Sequence, residues 1–201
     1  YICCLTFLIT MINLILFGKP GSGKGTQAEF VKIKYNLIHI STGDLFRYNI
    51  SNNTDLGLLA KSYMDKGDLV PDEVTIKMLE AEVKKHPNSN GFIFDGFPRT
   101  TLQAEILDKF LSKLKLSISM TIALEVDGDL LIERLINRGK DSGRADDQDR
   151  SKIKNRFDEY NNKTSPLINY YKNQSKFFEV NGVGDIDEIS TRIFNTIDNN
   201  I

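Results

Sequence analysis

From Leu14 onward the chain alternates short apolar runs with longer stretches in which apolar residues recur every three or four positions. The runs Leu14–Phe17, Leu37–Ile40, Gly91–Asp95, Met120–Glu125 and Lys176–Val180 read as strands buried on both faces. Between them Ile76, Leu79 and Val83 keep helical spacing, as do Leu107, Leu111 and Leu114, and near the end Ile186, Ile189, Ile193 and Ile197. Strands separated by helices predict an α/β fold: a doubly wound, parallel five-stranded sheet with helices on both faces.

Two stretches break the alternation. Residues Ser41–Asn90 carry only helical patterns, punctuated by Gly57, Gly67 and Pro71, which is too long for one crossover helix and reads as a helical insertion. Asn137–Asp149 is polar throughout with two glycines and reads as a mobile loop.

The amino terminus poses a separate question, because the first charge is Lys19 and an uncharged run of this length just reaches the ~18 residues at which a membrane helix becomes a candidate. Thr6, Thr10 and Asn13 interrupt it, no basic residue precedes it, no small-residue cleavage site follows, and Leu14–Phe17 are needed as a strand. Met11 is therefore expected to be the natural start, residues 1–10 upstream sequence outside the fold, and 11–201 a single domain with no membrane span.

Composition narrows the function classes. Twenty-six basic against 27 acidic residues leave a net charge of −1, which argues against a broad nucleic-acid-binding face. The only cysteines, Cys3 and Cys4, make neither a disulfide scaffold nor a zinc site, so a reducing, cytoplasmic setting is expected.

The strongest chemical signal is Gly18-Lys-Pro-Gly21-Ser22-Gly23-Lys24-Gly25-Thr26-Gln27, placed after the first strand and before a helix. This is the context of a phosphate-binding loop in a P-loop NTPase-like fold: backbone N–H groups and the helix N-terminus face an anion, and Lys24 adds a mobile charge. The pattern departs from the common form at Gly25, where Ser or Thr would follow the lysine. A dinucleotide-binding turn is excluded because Thr26 stands where a third glycine is required.

Thr42 and Arg47 open the helix after strand two, where a hydroxyl and a guanidinium suit a base edge and a phosphate. Asp95 ends an apolar strand beside the cradle, a place for a carboxylate that holds Mg²⁺ directly or through its water. Arg134 and Arg138 share one helix face, with Arg144 in the following loop and Arg156 beyond it. Converging guanidiniums would stabilise the charge that develops in phosphoryl transfer. His39 and His86, without a ligand cluster, read as structural.

The cradle, Ser41-Thr-Gly-Asp-Leu-Phe-Arg47, Gly67-Asp-Leu-Val-Pro71 and Asp95-Gly-Phe-Pro-Arg-Thr100 with Gln103 follow one another in an order that resembles adenylate kinases and related nucleoside monophosphate kinases. The resemblance implies Mg²⁺-dependent transfer between ATP and AMP to give two ADP, an acceptor-binding insertion over 41–70, a short lid over 137–147 and a monomer. It implies that Lys24, Asp95, Arg99, Arg138, Arg144 and Arg156 are catalytic. Gly21–Thr26, Arg134, Arg138 and the loop at Gly184 would meet the donor. Thr42, Arg47, Asp68, Leu69, Val70, Gly96, Phe97, Pro98, Arg99, Gln103, Arg144 and Arg156 would hold the acceptor, with Gln103 reading the adenine edge. A UMP/CMP kinase is the nearest alternative, disfavoured by Thr42 and Thr100. A guanine-nucleotide switch would need Asn-Lys-x-Asp, whereas Asn162-Lys163 is followed by Thr-Ser.

Overall fold

The apolar runs pair as five strands in the order β2-β3-β1-β4-β5, all parallel, in a computed structural model that describes residues 11–142, 144 and 146–201. Residues 1–10, expected to be upstream sequence, lie outside the described residues. The strands are β1 (Ile12–Phe17), β2 (Ile38–Ser41), β3 (Gly91–Asp95), β4 (Met120–Glu125) and β5 (Phe177–Asn181), each within two residues of its expected position.

Central β1 shows why such a strand reads as an unbroken apolar run. Ile15 and Phe17 enter one core with Phe92, Phe94 and, from helix α5 (Thr101–Lys113), Leu107 and Leu111. Leu14 and Leu16 face the other way, against Ala28 and Val31 of α1 (Lys24–Tyr35) and Ile189, Ile193 and Ile197 of α9 (Ile186–Asp198). Asn13, the polar residue in the run, is buried and satisfied: its Nδ2 donates to Ser117 O at 2.9 Å, and its Oδ1 accepts from Phe92 N–H at 3.2 Å. Gly91 starts β3 because a Cβ there would sit 2.0 Å from Ile12 O.

The long second crossover holds α2 (Thr42–Ser51), α3 (Asp55–Met64) and α4 (Asp72–Lys84). Phe46, Ala60 and Val70 form a small core of their own beneath α2 and α3. Helix α4 packs Val74 and Met78 on this small core and sends Leu79 and Val83 into the main one, and α2 reaches the main core through Leu45.

The stretch Asn137–Asp149, expected to be a loop, is largely helical at its start: α6 runs Gly128–Ser142 and α7 begins at Arg150. The buried stripe of Leu131 and Leu135 carries the helix forward, and the polar residues beyond ride on it. Gly139 lets the returning chain lie on α6, since a Cβ there would be 3.0 Å from Asp147 C and O. Helix α7 (Arg150–Glu159) then passes through a π turn, Tyr160–Thr164, into α8 (Leu167–Lys172).

Candidate functional site

A cleft of about 770 Å³ opens at the carboxyl ends of β1, β2 and β3. Its floor is the phosphate cradle. Gly18, Gly21 and Gly23 take φ of 141°, 86° and 93°, the left-handed range that favours glycine. At Gly18 a Cβ would also lie 2.5 Å from Ser22 Oγ and 2.9 Å from Leu124 O. Helix α1 starts at Lys24 with Gly23 as an N-cap that offers no side chain, so its first N–H groups are left for an anion.

Lys24 folds back over this loop, its Nζ donating to Gly18 O at 2.7 Å and Lys19 O at 3.1 Å. Burial pushes its pKa down to about 8; Asp95 opposes the shift, while Arg99, Arg156 and Arg138 add to it. It remains a cation at neutral pH.

Asp95 sits at the end of β3 beside the cradle. Burial alone would raise its carboxyl, but the contact with His39 and the charge of Lys24 hold it below the usual range. His39, read from the sequence as structural rather than as a metal ligand, lines the cleft: Nδ1 lies 2.9 Å from Glu29 Oε1 and Nε2 3.5 Å from Asp95 Oδ2. A Cβ on Gly25 would lie 3.7 Å from Asp95 Oδ2, so the position where other cradles carry a hydroxyl faces this carboxylate.

On the other side of the cleft, Ser41 caps α2 by accepting from Asp44 N–H, and Arg47 pairs with Asp44 one turn along. Thr42 is buried and donates to Gly96 O at 3.0 Å; Arg99 Nε donates to the same carbonyl at 2.8 Å. Burial and the neighbouring Arg156 lower Arg99 to about 10, which leaves it charged. A second, smaller cavity adjoins here, lined by Thr42, Asp68, Leu69, Val70, Gly96, Arg99 and Gln103. Gln103 is buried, its Oε1 accepting from Arg99 N–H at 2.7 Å and its Nε2 donating to Asp72 Oδ1 at 2.7 Å. Asp68 accepts from Asn155 Nδ2 at 2.8 Å, tying this wall to α7.

The arginines converge as expected. Arg134, Arg138, Arg144 and Arg156 line the main cleft with Arg47 and Arg99. What the expectation lacked was their partners. Asp147, whose side chain is fully buried, accepts from Arg138 Nε at 2.7 Å and Nη2 at 3.0 Å and from Arg156 Nη1 at 2.5 Å. Asp146 lies 2.8 Å from Arg156 Nη1, and Asp44 lies 3.8 Å from Arg144 Nη2. The adjacent pair Asp146-Asp147, two residues after Arg144, was a visible signal for this in the sequence.

Every anticipated site residue lines one of the two cavities. Gly21–Thr26, Gly96–Arg99 and Gly184 are on the main cleft, while Thr42, Val70 and Gln103 line the smaller one. Among the described residues no group of three or more His, Cys, Asp or Glu side chains is placed to hold a metal ion.

The sequence model of the family described as adenylate kinase matches residues 16–176. The chain is 63% identical over 189 residues to an adenylate kinase of Flavobacterium psychrophilum, covering 94% of this chain and 100% of that one. It is 61% identical to that of Flavobacterium johnsoniae with the same coverage. Identity to the Bacteroides thetaiotaomicron adenylate kinase is 50% over 188 residues, 94% of this chain and 99% of the relative.

Proposed function

The chain belongs to the adenylate kinase family, and from that premise we propose how its residues divide the work of the family reaction, ATP + AMP ⇌ 2 ADP. The observation that carries the assignment is the pairing of two adjoining cavities across Arg99: one floored by a phosphate cradle, the other closed by a hydrogen-bonding amide. A donor triphosphate and an acceptor monophosphate meet where those cavities join.

The cradle N–H groups and Lys24 hold the donor phosphates. Arg47 and Arg99 hold the acceptor phosphate, and Thr42, Val70 and Gln103 border its base. Arg134, Arg138, Arg144 and Arg156 face the transferring group from α6, α7 and the segment between them. Phosphoryl transfer leaves little covalent work for the protein, so aligning donor and acceptor and neutralising the equatorial oxygens account for most of the acceleration. Asp147 pairs with Arg138 and Arg156, and Asp146 with Arg156. Phosphate oxygens compete for those same donors, so binding and rearrangement of this segment are coupled, and water is shut out as it closes.

Mg²⁺ arriving with ATP supplies charge neutralisation on the donor β- and γ-phosphates. One carboxylate beside the cradle suits such a nucleotide-borne ion, and Asp95, facing the open space at Gly25, is the residue that would hold it through water. No described helix is long and apolar enough to cross a membrane.

Turnover of AMP, CMP, UMP and GMP with ATP tests the reading. AMP is expected to be preferred. A preference for CMP or UMP would overturn the acceptor assignment, and nucleotide binding without transfer to any of the four would favour a switch.

A further inference from the structure

Gln103 is held in one amide orientation by two partners of opposite kind. Its Oε1 accepts from the backbone N–H of Arg99, and its Nε2 donates to the carboxylate of Asp72, both at 2.7 Å. A backbone N–H can only donate and a carboxylate can only accept. Flipping the amide would set donor against donor and acceptor against acceptor in a buried site, where unpaired polar groups are costly.

Asp72 is itself fixed. It lies in the first turn of α4, and its other oxygen accepts from Thr100 Oγ1 at 2.9 Å, while the same hydroxyl caps α5 by accepting from Gln103 N–H at 3.2 Å. The carboxylate thus bridges α4 and α5 and is locked from both sides.

Each amide atom of Gln103 has one hydrogen-bonding position left: a second lone pair on Oε1 and a second hydrogen on Nε2. Gln103 lines the smaller cavity. Provided that this cavity takes the acceptor base, as proposed above, the spare pair presents an acceptor and a donor in fixed order. The 6-amino group donates and N1 accepts on an adenine edge, which matches that order. A 6-oxopurine reverses both, O6 accepting and N1–H donating, and would require the flipped amide.

We propose that Asp72 is a positioning residue for acceptor specificity: by dictating which way the Gln103 amide faces, it makes the site select 6-aminopurine over 6-oxopurine monophosphates. Asp72 lies outside the phosphate-handling groups and touches no reacting atom.

The test is Asp72→Asn, close in shape but able to donate or accept, assayed with ATP and either AMP or IMP. The variant is expected to raise the KM for AMP about ten-fold and to narrow the AMP-over-IMP preference in kcat/KM about ten-fold, while kcat at saturating AMP stays within about three-fold. In a Gln103→Ala background the same substitution is expected to leave that preference unchanged, because Asp72 acts through the amide. Asp72→Ser, well tolerated in the first turn of a helix, carries the same expectations should the asparagine variant fold poorly. An AMP KM and an AMP-over-IMP ratio both within about two-fold of wild type in a folded variant, or an equal loss with and without Gln103, would overturn the proposal. A wild-type protein inactive with AMP would instead refute the functional reading on which it rests.

Discussion

At Lys24 the chain places a cation over a loop whose glycines have no side chains to offer an anion. Its ammonium rests on backbone carbonyls of the cradle rather than on a carboxylate, so it is free to swing to phosphate oxygens. Lys24→Ala removes charge stabilisation without opening an apolar core, and should lower kcat by about 10²–10³-fold with a thermal midpoint within a few degrees of wild type. Near-normal turnover would refute the cradle assignment. Asp147 makes the opposite case, a residue whose main effect is on stability. Burial alone would raise its carboxyl, but Arg138 and Arg156 hold it below the ordinary carboxylate value. A depressed folded-state pKa means that the stabilisation is complete above the unfolded value of ~3.9 and is lost as the pH falls through the folded one. Asp147→Asn should therefore be less stable than wild type by about 2 kcal/mol at pH 6–7, with the gap closing below about pH 4. Urea unfolding across that range reads it directly, and a gap that did not change down to pH 3 would show that the pair contributes no pH-dependent stability.

Among the elements, α2 and α3 pack closely on one another, and that packing rests on Gly57. A Cβ there would lie 2.2 Å from Asn49 O and 2.6 Å from Ile50 N, both backbone atoms of α2 that cannot move aside singly. Gly57→Ala should push the two helices apart at a local cost of about 1–3 kcal/mol. Because these helices wall the smaller cavity, proposed to take the acceptor, and not the cradle, the KM for AMP should rise several-fold while that for ATP stays within about two-fold. Equal effects on both substrates would place the insertion's influence elsewhere. Element type was largely legible beforehand, since both faces of β1 and the stripe of α9 are written as local periodicity. The length of α6 was not. Its polar carboxyl end carries an asparagine, a glycine, an aspartate and a serine, all with little helical propensity, yet packing of the returning segment on Gly139 keeps residues 137–142 helical.

Over the whole molecule, a net charge of −1 conceals a gathering of charged groups of both signs at one cleft. Lys24 and six arginines line the same cleft against six carboxylates, Glu29, Asp44, Asp68, Asp95, Asp146 and Glu159, so nucleotides meet a small positive excess focused between low-dielectric walls. Raising ionic strength from about 20 to 300 mM should lower kcat/KM for ATP and AMP several-fold, with kcat less affected, because screening acts on encounter more than on bound phosphates. A salt-independent kcat/KM would mean that the lid aspartates cancel the field at long range.

The sequence by itself determined the alternation of strands and helices, the glycine-rich loop between β1 and α1, and the basic residue types that line the cleft. These are local properties: a glycine loop between strand and helix acts through contiguous backbone, and periodicity says which face is apolar. Tertiary structure decided the partners. That Asp147 closes on Arg138 and Arg156, that His39 of β2 turns into the cleft against Asp95 of β3, and that Asp72 reaches Gln103 across 31 positions of chain all depend on which strands and helices the fold brings together. Hydrogen bonds and ion pairs act over about 3 Å in space, and nothing in a local pattern records that distance between residues far apart along the chain.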